Sequence, residues 1–163
     1  MKTLKYLIIT CILGFTNCTI GQNSNILSGE EYSSIKINNI NIDNIIETKG
    51  DKTQMDILFG FSFLLNSDNE FIKTRELRND IQGIYIYFED DLLYTYKISN
   101  NKSNLTIKGV KITIGNHISK LGNVKTNNSN EIKFSTNETN DVIRIEFNSL
   151  NKTITSIQYK SLD

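Results

Sequence analysis

The sequence predicts an α+β domain in which antiparallel sheet carries short helices on one face. Segments such as IYIYF at 84–88 and IRIEF at 143–147 alternate with period two, as half-buried strands do. Short polar turns follow these segments, which favours antiparallel hairpins over long parallel crossovers. Two glycine-bounded stretches, 50–60 and 115–122, place apolar residues three and four apart and predict short helices that cover the sheet.

The first 21 residues have the pattern of a secretory signal peptide. Lys2 and Lys5 precede an apolar run from Tyr6 to Phe15, which is too short to remain as a membrane-spanning helix. We therefore expect a bacterial protein that is exported to the periplasm or the cell surface.

Two routes of export are open. Small residues at Thr19 and Gly21 favour cleavage after Gly21, which would release a free protein. Lipidation of Cys18 is the alternative, but Phe15 and Asn17 stand where a lipoprotein signal usually has an aliphatic and a small residue. We expect cleavage after Gly21, with membrane attachment only if Cys18 carries a lipid.

Composition excludes several chemistries. The two cysteines, Cys11 and Cys18, both lie in the signal region, so the exported domain is expected to have neither a disulfide nor a catalytic thiol. Basic and acidic residues balance at 18 each, and no basic stripe is visible along the chain, which argues against a nucleic-acid partner. No phosphate-binding loop or dinucleotide fingerprint is present, and we predict no cofactor.

Residues 22–34 are polar and aperiodic and predict a flexible leader before a single domain at 35–161. Isoleucines at 35, 37, 40 and 42 then alternate with one slip at Asn38-Asn39, which predicts one strand or two short strands with a turn. An insert at 61–80 carries apolar residues that predict a strand turning into a short helix.

The domain shows an internal repeat. INNINID at 37–43 matches IKGVKIT at 107–113, and the helix GDKTQMDILFG at 50–60 matches GNHISKLG at 115–122, with Asp51 and Asn116 as the expected N-caps. The following hairpins also match, with YTYK at 94–97 corresponding to IQYK at 157–160. We predict two related strand–helix–strand–strand units, about 35–100 and 105–161.

This order resembles the tandem-repeat plan of beta-lactamase inhibitory protein. A helix that closes on Leu121-Gly122 before its strands is also similar to small bacterial outer-membrane-assembly lipoproteins. Both resemblances imply a protein-binding role for a polar or aromatic sheet face, and neither implies any particular site residue.

Four tyrosines are the candidate binding residues. Alternation places Tyr85 and Tyr87 on the face opposite Ile84, Ile86 and Phe88, and Tyr94 and Tyr96 are expected to share that face. Aromatic side chains on an open sheet face are typical of protein recognition.

Catalytic and metal sites find little support. His117 is the only histidine, so a two-histidine zinc site within one chain is impossible, and we interpret His117 as a surface residue. Acidic side chains at Glu89, Asp90 and Asp141 could serve a small hydrolase, but the predicted turn that carries Glu89 and Asp90 does not supply the different environments that paired acid/base carboxylates need. The acidic segments at 68–70 and 138–141 lack the alternate-residue spacing of a calcium loop. We predict no metal ligand and no catalytic residue.

The sequence thus predicts a non-enzymatic exported binding protein whose partner is another protein. An enzyme inhibitor, an immunity protein or an envelope-assembly component would fit this description. A carboxylate-dependent hydrolase and a structural component anchored through Cys18 are the alternatives.

Overall fold

The structure, a computed structural model, describes residues 24–69, 71, 73–126, 130–137 and 139–161. It confirms the α+β class with antiparallel sheets and few short helices. The predicted signal peptide, its cleavage after Gly21 and the alternative lipid site at Cys18 lie outside the described residues. Within those residues, no helix is long and apolar enough to cross a membrane.

Twelve strands and four short helices make up the described chain. The helices are α1 (Gly29–Ser33), α2 (Ile42–Glu47), α3 (Lys52–Phe59) and a 3₁₀ helix (Ile118–Leu121). The strands are β1 (Ser24–Leu27), β2 (Lys36–Ile37), β3 (Ile40–Asn41), β4 (Leu64–Asn69), β5 (Thr74–Asn79), β6 (Ile84–Glu89), β7 (Leu92–Ile98), β8 (Asn104–Ile107), β9 (Val110–Thr113), β10 (Glu131–Thr136), β11 (Val142–Phe147) and β12 (Ile154–Lys160).

The strands form two sheets. The large sheet has eight strands in the order β1-β10-β11-β12-β7-β6-β5-β4, and the small sheet has the order β3-β2-β8-β9. All neighbouring strands are antiparallel except β1 and β10, which are parallel. In each sheet, the strands of the first predicted half lie side by side, and so do those of the second half. The two halves meet where β7 pairs with β12 and where β2 pairs with β8.

The two sheets bury one continuous hydrophobic core between them. Ile37 and Leu105 of the small sheet, Met55 of α3, and Ile86 and Ile157 of the large sheet are all fully buried. Burial alternates along β6 and β11, so the large sheet has an inner face against this core and an outer face that carries its polar side chains. The common origin of the two halves stays a prediction.

Tight two-residue turns join three of the hairpins, β2–β3, β6–β7 and β8–β9. Asn38-Asn39, Asp90-Asp91 and Lys108-Gly109 all have positive φ at both positions, which suits the right-handed twist of the strands they connect. The slip at Asn38-Asn39 is therefore a turn between two short strands, one of the two predicted arrangements. Strand β3 ends at Asn41, earlier than the isoleucine alternation predicts, because Ile42 is the first residue of α2.

The first glycine-bounded helix is confirmed. Asp51 caps α3 by accepting a hydrogen bond from the Gln54 N–H at 2.8 Å, and Gly60 closes it with φ of 71°. In the second, the prediction of Asn116 as N-cap is wrong. His117 Nδ1 accepts from the Ser119 N–H at 3.2 Å, whereas Asn116 Oδ1 accepts from the Thr113 N–H.

The prediction of a flexible leader is wrong from Ser24 onward. β1 pairs with β10, and Ser28 and Glu31 form a reciprocal capping box at the start of α1. The Tyr32 hydroxyl then donates to Asp141 at 2.6 Å, so long-range contacts order a segment whose local sequence is polar.

The prediction of a helix within the 61–80 insert is also wrong. Strands β4 and β5 pair as an antiparallel hairpin, in which Leu77 is fully buried opposite Ile86 of β6. The local pattern of apolar Leu77 between charged Glu76 and Arg78 is compatible with either a strand or the end of a helix. Pairing with β6 makes this segment a strand.

Candidate functional site

The outer face of the large sheet is the candidate site. Tyr85 and Tyr87 of β6 point to it, since they alternate with the buried Ile84, Ile86 and Phe88. Tyr94 of β7 lies there too, with its ring edge-on to that of Tyr87 at 5.8 Å between centroids. Three of the four predicted tyrosines therefore share one surface, which we call the outer face.

Tyr96 does not belong to the outer face, and its predicted placement is wrong. It lies opposite Ile86 on the inner face and is fully buried. The cause is a bulge: Tyr87 pairs with Thr95 and Phe88 pairs with Leu93, so Tyr94 is an extra residue that breaks the alternation of β7. Alternation alone could not show this, because a bulge changes which side chains share a face.

The outer face also collects cations from strands that are distant in the chain. The strand registers place one residue from each of six neighbouring strands in a single row, in the order Lys133, Arg144, Gln158, Lys97, Tyr85 and Arg78. Lys160 lies in the next row, opposite Thr95. Each of these side chains is at least partly exposed.

The ends of this row carry partners, and its centre does not. Lys133 Nζ lies 3.1 Å from Glu131, and Arg78 lies 3.6 Å from Asp80. No carboxylate of the described residues forms an ion pair with Lys97 or Arg144 of the row or with the adjacent Lys160, and we call these three the central cations. Lys160 instead has its ammonium over the ring of Tyr94 at 5.7 Å.

Tyr85 and Tyr87 of the outer face remain protonated at neutral pH. Burial raises the pKa of Tyr85, and nearby Glu76 raises it further. Burial also raises the pKa of Tyr87, and the neighbouring Glu89 carboxylate adds to the effect. Both hydroxyls can therefore donate hydrogen bonds to an approaching acceptor.

A cleft of about 320 Å³ opens at one end of this sheet. Its lining comes from the β6–β7 hairpin and from the end of β12: Glu89, Asp90, Leu92, Leu93, Tyr94 and Ser161. Asp90 is in the turn itself, with φ of 49°, and both Glu89 and Asp90 are exposed. Neither side chain has the buried environment that is typical of a catalytic acid or base.

Asp141 is not part of that cleft. It precedes β11, and strands β12 and β7 separate it from β6. Its carboxylate is 8% exposed and accepts hydrogen bonds from Tyr32 at 2.6 Å, Tyr159 at 2.9 Å and Thr139 at 3.0 Å. The three carboxylates of the hydrolase alternative are thus not brought together, and the geometry gives Asp141 a structural contact between α1 and the sheet.

His117 is exposed and caps the 3₁₀ helix through Nδ1, which also lies 2.7 Å from Ser119 Oγ. Among the described residues, no nucleophile and carboxylate are arranged around His117 as in a catalytic triad. Across 24–69, 71, 73–126, 130–137 and 139–161, no three His, Cys, Asp or Glu side chains are placed to hold a metal ion.

Sequence reasoning missed the row of cations. Its four cations and the adjacent Lys160 come from five separate strands between residues 78 and 160, so no local cluster of Lys and Arg marks them. Comparisons with protein-family models, with curated proteins and with solved structures find no match to this chain.

Proposed function

We propose that this chain is an exported bacterial binding protein, without enzymatic activity, that engages another protein through the outer face of its large sheet. The observation that carries the proposal is the exposure of that face. Tyr85, Tyr87 and Tyr94 are each partly exposed on it.

Sheet energetics support a binding role for this face. The inner face already buries the apolar side chains of the large sheet, so fold stability does not require aromatic residues outside. Tyrosines expose a large apolar ring and a hydroxyl, and they are enriched among the residues that dominate protein interfaces. An inhibitor, an immunity protein or an envelope-assembly component is the class of protein that this surface suits.

The segment before the described residues supports export. Lys2, Lys5 and the apolar run from Tyr6 to Phe15 form the signal pattern. The intact mass of the protein secreted by a bacterial host tests this part. A mature chain that begins at Gln22 is expected, whereas a diacylated Cys18 would replace the free protein by the lipid-anchored alternative.

Site-specific photo-crosslinking tests the binding face. A photoreactive phenylalanine analogue at position 87 should form a covalent adduct with one defined partner in the native host envelope. Alanine at Tyr85 and Tyr94 in the same protein should reduce that adduct strongly, because the rings contribute the contact area.

Leu150 supplies the matched control, since it is 92% exposed in the β11–β12 turn and lies outside the outer face. A crosslinker at position 150 should give no such adduct. Equal adducts from both positions, or none from position 87, would contradict the proposed binding face.

A further inference from the structure

We propose that the partner presents a bounded acidic patch to the centre of the outer face, where Lys97, Arg144 and Lys160 bind its carboxylates. This inference rests on the proposed function, because it names the partner chemistry of the same face. It commits to a folded protein as the occupant, and charge complementarity is the argument for it.

The row of cations is long enough to receive several carboxylates. Residues directly opposite on neighbouring strands form a straight line across the sheet, and six strands spaced by about 4.8 Å extend about 24 Å. Lys133, Arg144, Lys97 and Arg78 lie on that line, with Gln158 and Tyr85 between them as hydrogen-bonding groups. No acidic residue interrupts it.

The middle of the outer face carries charge that no ion pair of the described residues neutralises. Lys97 and Arg144 of the row and Lys160 beside it pair with no described carboxylate, whereas the neighbouring Lys133 is already paired with Glu131. These three cations are therefore available to carboxylates of a partner, which favours an acidic surface at this point.

The surrounding acids limit how far an anion can extend. Glu131 and Glu146 lie opposite each other in the row on one side, and Glu76 lies opposite Tyr87 in the row on the other side. A long polyanion such as DNA or a sulfated glycan would place its further charges against these carboxylates. A folded protein with a small acidic patch avoids that repulsion, which favours a protein partner over a linear polyanion.

The aromatic residues lie at the edge of the cationic centre. Tyr85 is opposite Lys97 on the neighbouring strand, and Tyr94 lies beneath the ammonium of Lys160. An interface with a central charged group and tyrosine beside it excludes water from the ion pairs, which strengthens them.

Binding of short anionic probes tests the inference. Hexaglutamate should bind the full chain at low salt and shift the amide resonances of β7, β11 and β12. The triple variant Lys97→Gln, Arg144→Gln and Lys160→Gln should bind it at least tenfold more weakly, since three opposite charges are lost.

The control is a second triple variant with the same loss of charge, Lys102→Gln, Lys111→Gln and Lys125→Gln. These lysines are exposed in the β7–β8 loop, the small sheet and the loop before β10. Its affinity for hexaglutamate should stay within twofold of the unmodified chain. Equal weakening in both triple variants would show a general charge effect and overturn the inference.

Hexathymidylate and a heparin hexasaccharide, offered under the same conditions, should bind more weakly than hexaglutamate. Tighter binding of either would overturn the assignment to a protein partner. A photo-crosslinked partner that depends on Tyr85 and Tyr94 but not on the three central cations would overturn this inference and leave the proposed function standing.

Discussion

Tyr96 and Tyr159 lie directly opposite one another on β7 and β12, with their rings stacked at 5.2 Å between centroids and 9° between planes. They occupy matching positions in the predicted repeat, since YTYK at 94–97 corresponds to IQYK at 157–160. Their hydroxyls differ. Tyr159 donates to Asp141 at 2.9 Å, whereas the buried Tyr96 hydroxyl has no partner among the described residues.

This difference predicts opposite effects for the same substitution. Tyr96→Phe removes a buried hydroxyl that lacks a partner, so we expect the free energy of unfolding to stay unchanged or rise by about 1 kcal/mol. Tyr159→Phe removes a donor from Asp141 and should lower it by about 1–2 kcal/mol. Urea unfolding of the two variants measures both values, and equal losses in both would contradict the assignment of their hydroxyls.

Asp141 predicts a local effect on α1. Asp141→Ala removes the acceptor that the half-buried Tyr32 and the buried Tyr159 share, which should cost about 2 kcal/mol because the two hydroxyls keep only their long contact with each other. Amide hydrogen exchange should become faster in α1 and β1 than in the small sheet, because Tyr32 links α1 to the large sheet. Uniform acceleration across the chain would mean that the contact does not hold α1 in particular.

High pH is expected to unfold the protein through its interior tyrosines. Burial raises the pKa of Tyr32, Tyr96 and Tyr159 far above the usual value of about 10, with the Asp141 carboxylate adding to the effect at Tyr32. The unfolded chain then loses these protons before the folded chain does. Their contribution to stability is complete below about pH 10 and decreases as the pH rises further.

Phenolate absorbance after a jump to high pH measures this. The Tyr85 and Tyr87 hydroxyls on the outer face should ionise within the mixing time, and Tyr32, Tyr96 and Tyr159 should ionise at the rate of unfolding. Immediate ionisation of all of them would contradict the buried environment.

Gly50 and Gly109 form a matched pair for backbone substitution. Both have positive φ, 75° and 72°, so alanine is strained at either position by about 1 kcal/mol. A Cβ at Gly50 would also lie 2.7 Å from Cδ2 of the buried Phe88, whereas nothing lies within 4 Å at Gly109. Thermal unfolding should show a loss for Gly50→Ala that exceeds that of Gly109→Ala by about 1–3 kcal/mol.

Local sequence patterns predicted the parts of the fold that depend on local interactions. Asp51 and Gly60 delimit α3 through capping, and Asp90-Asp91 closes a hairpin through its turn geometry, both of which a short window of sequence contains. The hairpins and the α+β class followed from these signals.

The orientation of Tyr96 and the composition of the candidate site depend on pairing between distant strands, which local sequence patterns do not indicate. Tyr96 faces inward because of a bulge at Tyr94, and the register between β6 and β7 is a property of two strands together. The candidate site has the same origin, since Arg144 and Lys97 are far apart in the chain and meet on one face only through β12. The polar segment before Ile35 became ordered through Tyr32 and Asp141 for the same reason.

The parallel pairing of β1 with β10 has a consequence for the order in which the chain can fold. Asn25 of β1 donates to the Lys133 carbonyl, a partner 108 residues later in the chain. During synthesis β1 emerges first and finds its neighbour only when the last third of the chain has followed. Strand β1 can therefore pair only after β10 has been synthesised. Because pairing closes a loop of about a hundred residues, we expect the docking of β1 to be a late and slow event of folding.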